Sequence, residues 1–373
     1  MKLSLTEEQR EIVRSIRNLF ARECPPSLVR QLQDPATDPR PGNLWDCLTK
    51  AGVFGLAFSA DLDGHNTFFN LGLVYEQGGR SLCPTIIYST IEFGLALSRL
   101  RGKSTKWLLK VAAGDVVGTI SLADPNDSSN VVPPIHAERQ GTKWVLSGSL
   151  DFVPNADVAE ALLTTAQNRG SWGPDSYVTI LVRRPSISAH RRSTFARDNQ
   201  CRVDLTGVKL DLEDVFTGSE AFKRDDLYRL ANATTALHCM DMVGGAQAVI
   251  DRTVAYVKDR YQFGRPIASF QAVQHHVANM HVAVEGARLA AYQAIALVGG
   301  GRIAERETAI AKLKANEAYK CATMTAHQLH GGIGILREFD LHLWSERAKA
   351  MELRHGAWDT QIRRLSSVLN LSG

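Results

Sequence analysis

The amino-acid sequence predicts a mainly α fold in three consecutive parts: an N-terminal helical domain, a central antiparallel β-domain and a C-terminal four-helix bundle. Three observations predict it. Apolar residues recur at helical spacing before residue 115 and again after residue 222. Between those points, short apolar runs stand between turn residues. The last part carries four long apolar stripes with short connections, the pattern of a bundle. The expected divisions are residues 1–115, 116–221 and 222–373.

In chain order, Thr6 followed by Gln9 is a capping box, which satisfies free backbone N–H groups at a helix start. Ile12, Val13, Ile16, Leu19 and Phe20 then share one helical face. Leu44–Leu48 and Leu71–Tyr75 repeat the spacing. In the middle part, 136–140 and 143–147 flank Gly141-Thr142, which reads as a tight hairpin turn. The runs 161–165, 177–182 and 201–205 suit a compact antiparallel sandwich or barrel. In the last part, Val249, Val254, Val257 and Tyr261 make one stripe. Val277, Met280, Val282 and Val284 begin a second, Ala309 to Leu329 is a third, and Leu341 to Leu369 a fourth.

The chain has 373 residues, 44% hydrophobic and 22% charged, which is ordinary for a globular protein. A formal net charge of +4 is too small to argue for nucleic acid or an anionic membrane. The six cysteines show no CxxC pair, so reduced thiols are expected. No run approaches the ~20 apolar residues of a membrane span, and the N-terminus has no apolar signal core. A cytoplasmic protein is the expectation. His275, His276 and His281 do not suggest a metal: adjacent side chains on a helix point apart, and no Cys or carboxylate completes a set.

Two motifs are specific. Arg260-Tyr261-Gln262-Phe263-Gly264-Arg265-Pro266-Ile267 is followed by Phe270-Gln271 and Gln274, and further on stands Gln328-Leu329-His330-Gly331-Gly332-Ile333-Gly334. The first resembles the R-x-Q-F-G-x-P-I-x-x-F-Q-x-x-Q signature of the acyl-CoA dehydrogenase family, and the second its Q-x-H-G-G-x-G turn. The resemblance implies the acyl-CoA dehydrogenase fold, FAD as cofactor and an oligomer, because these motifs reach FAD across a subunit interface. Cofactor contacts are expected from Arg260, Gln262, Phe263, Gln271, Gln328, Gly331, Gly332 and Gln361. Arg260 suits the pyrophosphate through a charge-assisted bond. Phe263 offers a flat apolar face, Gly331 and Gly332 let backbone N–H groups approach, and Gln328 suits a ribose or adenine edge.

Other positions depart from the family. Its reaction takes an α-proton to a carboxylate in a desolvated pocket. The usual Glu, in a Y-E-G-T-x-x-x-Q context, is His355 here, within Arg354-His355-Gly356-Ala357-Trp358-Asp359-Thr360-Gln361. Counting back from Gly244, the alternative carboxylate and the CoA-holding Arg fall at Thr234 and Thr235. The flavin-lining T-E-P-x-x-G-S-D reads 123–130 as A-D-P-N-D-S-S-N, and W-I-T reads Phe152-Val153-Pro154. Pro154 has neither N–H nor hydroxyl to offer.

Motifs that serve a neighbour's FAD are intact, and those of the chain's own pocket are degraded. The pattern resembles the base-less small subunits of α2β2 acyl-CoA dehydrogenases of bacterial steroid side-chain degradation. It implies a homologous partner that carries the base and binds most of a bulky, steroid-derived acyl-CoA, while this chain's own pocket closes up. Alternatives are a homo-oligomer with His355, Asp241 or Asp359 as base, a flavin-dependent monooxygenase on the same fold, and a binding protein that lost the chemistry. His355 reads more simply as a space-filler, and Asp241 and Asp359 as helix-face charges, although Asp359, four residues on, stands where it can pair with His355 across one turn.

Overall fold

The computed structural model describes residues 4–34, 36–59, 65–100, 104–122, 130–170 and 176–371. The first part is helical: α1 (Glu7–Glu23), α2 (Pro26–Leu32), α3 (Gly42–Lys50), α4 (Leu56–Ser59), α5 (His65–Arg80), α6 (Thr85–Ser98) and α7 (Thr105–Ala112). The capping box opens α1 as expected: the Gln9 backbone N–H donates to Thr6 Oγ1 at 3.2 Å, and the Thr6 N–H to Gln9 Oε1 at 3.0 Å. Ile16 and Phe20 point into the core. Helix α6 is buried all round from Thr85 to Leu97, as a helix apolar on every face must be.

The β part comprises β1 (Gly118–Ser121), β2 (His136–Gln140), β3 (Lys143–Ser147), β4 (Ser149–Pro154), β5 (Ala161–Asn168), β6 (Tyr177–Arg183), β7 (Ser188–Arg192), β8 (Gln200–Asp204), β9 (Lys209–Asp211) and β10 (Val215–Phe216). One sheet runs β10-β6-β5-β2-β3-β9, with β1 beside β5, and a second runs β4-β8-β7. The Gly141-Thr142 hairpin forms, with Gln140 opposite Lys143 and Gly141 at φ 62°. The pairing is not wholly antiparallel: β5 runs parallel to both β1 and β2. These are non-local pairings that no turn signal announces. Three arginines of this domain are held by carboxylates: Arg183 meets Asp214, Arg191 meets Asp157 and Arg192 meets Asp151.

The remainder is α8 (Arg224–Asp259), a two-residue-strand hairpin of β11 (Tyr261–Gln262) and β12 (Arg265–Pro266), α9 (Gln271–Gly299), α10 (Glu305–His330), α11 (Gly332–Ile335), α12 (Leu341–Leu353) and α13 (Trp358–Val368). Two expectations fail here. The fourth stripe is two helices, because His355 (φ 60°) and Gly356 (φ 93°) break it. Val282 is 71% exposed, while Met280 and Val284 are buried, so the second stripe runs through the latter pair only. Helix α9 is, by length and composition alone, able to cross a membrane, which the count of apolar runs did not anticipate. It carries Glu285 and Arg288 in mid-helix and packs against α5, α8 and α10.

Helices α5 and α8 cross with their backbones in contact. A Cβ on Gly79 would fall on the Asp241 carbonyl, and one on Gly244 would fall on the Glu76 carbonyl. This close crossing draws together α6, α8 and the turn after α12, which form the site.

Candidate active site and cofactor clamp

Between the β-domain and the bundle lies a cavity of about 590 Å³. Its β-side wall includes Ile120, Leu122, Phe152, Pro154 and Phe195, and its bundle wall Ala231, Thr234, Thr235, Leu353, Arg354 and His355. The pocket has therefore not closed up, contrary to expectation. Phe152 and Phe195 are 60% and 70% exposed and stand at its rim. The wall at Pro154 is apolar, and the Pro154 carbonyl is turned inward to accept a bond from Thr119 Oγ1 at 2.6 Å. Of the stretch 123–130 only Asn130 lies within the described residues.

The threonines at the expected base and arginine positions spend their hydroxyls on their own helix. Thr234 Oγ1 donates to the carbonyls of Leu230 and Ala231 at 3.1 Å, and Thr235 Oγ1 to Ala231 at 2.7 Å. Neither supplies charge to the cavity.

His355 stands where the family's carboxylate is expected, held in left-handed backbone. Its ring lies 4.7 Å from that of His238 on α8, and its Nε2 is buried without a hydrogen-bond partner. Burial, then His238, Arg354 and Lys312, hold its pKa well below the ordinary imidazole value. The ring is neutral and a weak base. Behind it, His238 Nε2 lies 2.7 Å from Glu92 Oε1 on α6. Apart from this contact, neither Glu92 Oε1 nor the His238 ring nitrogens have a hydrogen-bond partner among the described residues. Burial pushes the Glu92 carboxyl up to about 7. Glu92 lines the cavity and is 5% exposed.

The other candidate bases are elsewhere. Asp241 is buried on α8, accepts a bond from Tyr88 Oη at 2.7 Å and does not line the cavity. Asp359 is exposed and pairs with Arg363 at 3.3 Å rather than with His355. The helix break between them removes the one-turn geometry that would have joined them.

Seven of the eight cofactor candidates gather at the far ends of α8 and α10. Arg260 ends α8, and Ile267 N–H bonds back to its carbonyl at 2.8 Å. Phe263 and Gly264 fill the two-residue loop of the β11–β12 hairpin at φ 55° and 76°, both left-handed as a type I′ turn requires. The turn holds Phe263 outward at 90% exposure, edge-on to Phe270 at 6.0 Å. Gln262 and Gln271 are exposed beside it, and Gln328 is exposed on the last turn of α10. Gly331, at φ 60°, and Gly332 have nothing within 4 Å of an added Cβ. Tyr256 joins the two motifs: its ring stacks on His330 at 4.3 Å and its hydroxyl donates to the His330 carbonyl at 3.3 Å.

Gln361 is the exception. It is fully buried and its Nε2 donates to the carbonyls of His355, at 2.7 Å, and Gly356, at 3.3 Å. It braces the His355 turn from within and does not line this cavity.

Comparison with known proteins bears on these features. Residues 6–115 match the acyl-CoA dehydrogenase N-terminal domain, and residues 229–369 match the C-terminal domain. The chain belongs to the acyl-CoA dehydrogenase family. It is 28% identical over 363 residues to acyl-CoA dehydrogenase IpdE2 of Mycolicibacterium smegmatis, covering 96% of this chain and 98% of that protein. Its fold matches that of the ChsE4-ChsE5 complex from Mycobacterium tuberculosis with a TM-score of 0.86 at 23% identity, covering 100% of both chains. It also matches a variant of the Tcur3481-Tcur3483 steroid ACAD with a TM-score of 0.85 at 25% identity, covering 98% of both chains.

Acyl-CoA dehydrogenases are oxidoreductases that act on CH–CH bonds, and their cofactor is FAD. The residues present fit the two ends of FAD on different surfaces. The apolar cavity wall at Phe152 and Pro154 suits a flat ring system. The Arg260 guanidinium, with no ion-pair partner among the described residues, and the open backbone at Gly331 and Gly332 suit a pyrophosphate. When bound, the flavin supplies the acceptor for the β-hydride. The protein's part is to hold the thioester, exclude water and accept the α-proton.

Proposed function

We propose that this chain is one subunit of an FAD-dependent acyl-CoA dehydrogenase and clamps the pyrophosphate–adenine end of an FAD seated in a neighbouring protomer. Arg260, Gln262, Phe263, Gln271, Gln328, Gly331 and Gly332 make the clamp. The neighbour is a homologous chain in an α2β2 assembly, and it carries the catalytic carboxylate of its own cleft. Its substrate is a bulky, steroid-derived acyl-CoA. The protein works in the cytoplasm, a reading supported by six free cysteines.

The observation that carries this reading is a distance. Thr234, in the cavity wall, and Arg260 belong to one uninterrupted helix. At ~1.5 Å per residue they stand roughly 40 Å apart along its axis. No clamp residue lines the cavity, which supports a clamp that serves a neighbouring protomer. The surface around it agrees: Tyr261, Phe263, Met324 and Ile335 are between 62% and 90% exposed, a patch suited to a partner's cover. Two of the structural matches are of paired components, ChsE4-ChsE5 and Tcur3481-Tcur3483, the latter a steroid enzyme.

The test is co-expression with a homologous, carboxylate-bearing chain encoded nearby. FAD is expected in the complex and not in the lone chain. Arg260→Ala removes a charge-assisted bond of about 1.5–3 kcal/mol, so FAD binding to the complex weakens by about 10- to 150-fold. Stoichiometric FAD and full dehydrogenation by the lone chain would refute the reading.

A further inference from the structure

We infer that Glu92 is the proton acceptor of this chain's own cleft, taking the α-proton of an acyl thioester bound there. This goes beyond the clamp, which concerns a neighbour's cleft, and it stands whether or not a heteromer forms. In the step, the Cα–H bond breaks, its proton passes to a Glu92 carboxylate oxygen, and the electron pair moves onto the thioester carbonyl as an enolate. No oxidant enters.

Elimination and geometry carry the assignment. Among the described residues, three carboxylates line the cavity: Glu92, Asp151 and Asp198. Asp151 is bonded by Arg192 and Arg202 at 3.1 Å each. Asp198 accepts from Thr194 and Gln200 at 2.7 Å each and pairs with Arg354 at 3.5 Å. Those bonds leave both carboxylates already satisfied. Glu92 alone has no Lys or Arg in ion-pair contact among the described residues; its Oε1 meets only the neutral His238 ring, at 2.7 Å. A nearly buried carboxyl at a cavity wall with no cation paired to it is costly to keep unless the cleft's chemistry uses it.

Its place in the cavity is right for the reaction. Glu92 touches His238, and His238 touches His355, the position from which the family's carboxylate is expected to act. The carboxylate therefore enters the same end of the cleft from α6 instead of from the turn after α12. The environment also suits a base that works near neutral pH. The groups that face Glu92 are Tyr75 of α5, His238 and Asp241 of α8, and Arg354 of the turn. Of these, Arg354 is engaged by Asp198. His238 is a positioning residue: a neutral ring against the carboxyl, itself packed on the ring of His355.

The test uses the full chain expressed by itself, in D2O, with 3-thiaoctanoyl-CoA. Sulfur at the β position leaves the α-hydrogens acidic and leaves no β-hydrogen to transfer, so deuterium uptake reads proton transfer alone. Wild-type protein is expected to exchange, with a rate that rises with pH through about 7. Glu92→Gln is expected to slow exchange at least ~100-fold while equilibrium dialysis still finds the probe bound. His238→Gln is expected to keep exchange and move the pH midpoint. Should Glu92→Gln fail to fold, Glu92→Asp decides: slower exchange in a folded chain supports the assignment, and an unchanged rate overturns it. Wild-type exchange in Glu92→Gln, or none in the wild-type chain, also overturns it.

Discussion

Adding one methyl group at Gly244 tests the crossing on which the whole site is hung. The new Cβ would sit on the Glu76 carbonyl, far inside the 3.0 Å that real Cβ atoms respect. Its neighbour is backbone, not the end of a flexible side chain, so α5 and α8 must part by roughly 1.5 Å before ordinary contact returns. Gly79 faces Asp241 on the same seam, so no slack lies next door. Overpacking of a dense interior costs about 1–3 kcal/mol, and a rigid seam belongs at the top of that range. Alanine returns about 1 kcal/mol through helix propensity. The expected net loss is about 2 kcal/mol, or a fall in apparent midpoint of about 2–3 °C for a chain of this length. The assay is thermal unfolding followed by circular dichroism at one scan rate. Gly42→Ala is the matched control: its Cβ meets nothing within 4 Å, so the same chemical change is expected to stabilise by about 0.5 kcal/mol. If both variants melt alike, the glycine seam does not hold these helices and the account of the site's assembly fails.

Two further outcomes follow from buried groups. Lys312 is fully buried, with Nζ bonded to Asn316 Oδ1 at 2.7 Å and to the Met351 carbonyl at 2.5 Å, and burial lowers its pKa to about 8. Between that value and the ordinary 10.5 the unfolded chain binds a proton that the folded chain does not, so this group's contribution to stability rises with pH across the window. Urea unfolding at pH 7 and pH 10 is expected to show wild type gaining on Lys312→Met by an amount on the order of 3 kcal/mol; a constant difference sinks the assignment. Gln361→Leu leaves the carbonyl of His355 without its donor, and a loss of about 1–3 kcal/mol in urea unfolding is expected with FAD binding in the complex unchanged. Lost FAD at an unchanged midpoint would instead make Gln361 a cofactor ligand.

What the sequence made legible was local. The capping box of α1, the Gly141 hairpin and the two clamp motifs are each written within a few residues, and each has a backbone reason that survives any context: an orphan N–H satisfied, a left-handed turn, an open approach. The break at His355 was half legible, since Gly356 stood in the middle of the fourth stripe. Apolar spacing alone carried the helix across it. Gln361 resembled a cofactor ligand by position in a motif, yet the same break turned its amide inward to cap the His355 carbonyl. The parallel pairings of β5 join segments that no short-range pattern links.

Glu92 went unread for a different reason. It is the single charged residue in an otherwise apolar run from Thr85 to Leu97, and a carboxylate in a helix buried on all faces is costly unless something uses it. That cost was a readable signal. A comparison of motifs looks for a base at the positions where relatives keep one, so at Thr234, Thr235 and His355 it finds absence. Chemistry asks only that a carboxylate reach the reacting carbon. With His355 and His238 standing side by side, a third side chain from α6 meets the same end of the cleft. Loss of a motif along the chain need not be loss of its function in space, and a cleft of about 590 Å³ that stays open beside a buried carboxyl with no paired cation is the physical ground for that inference here.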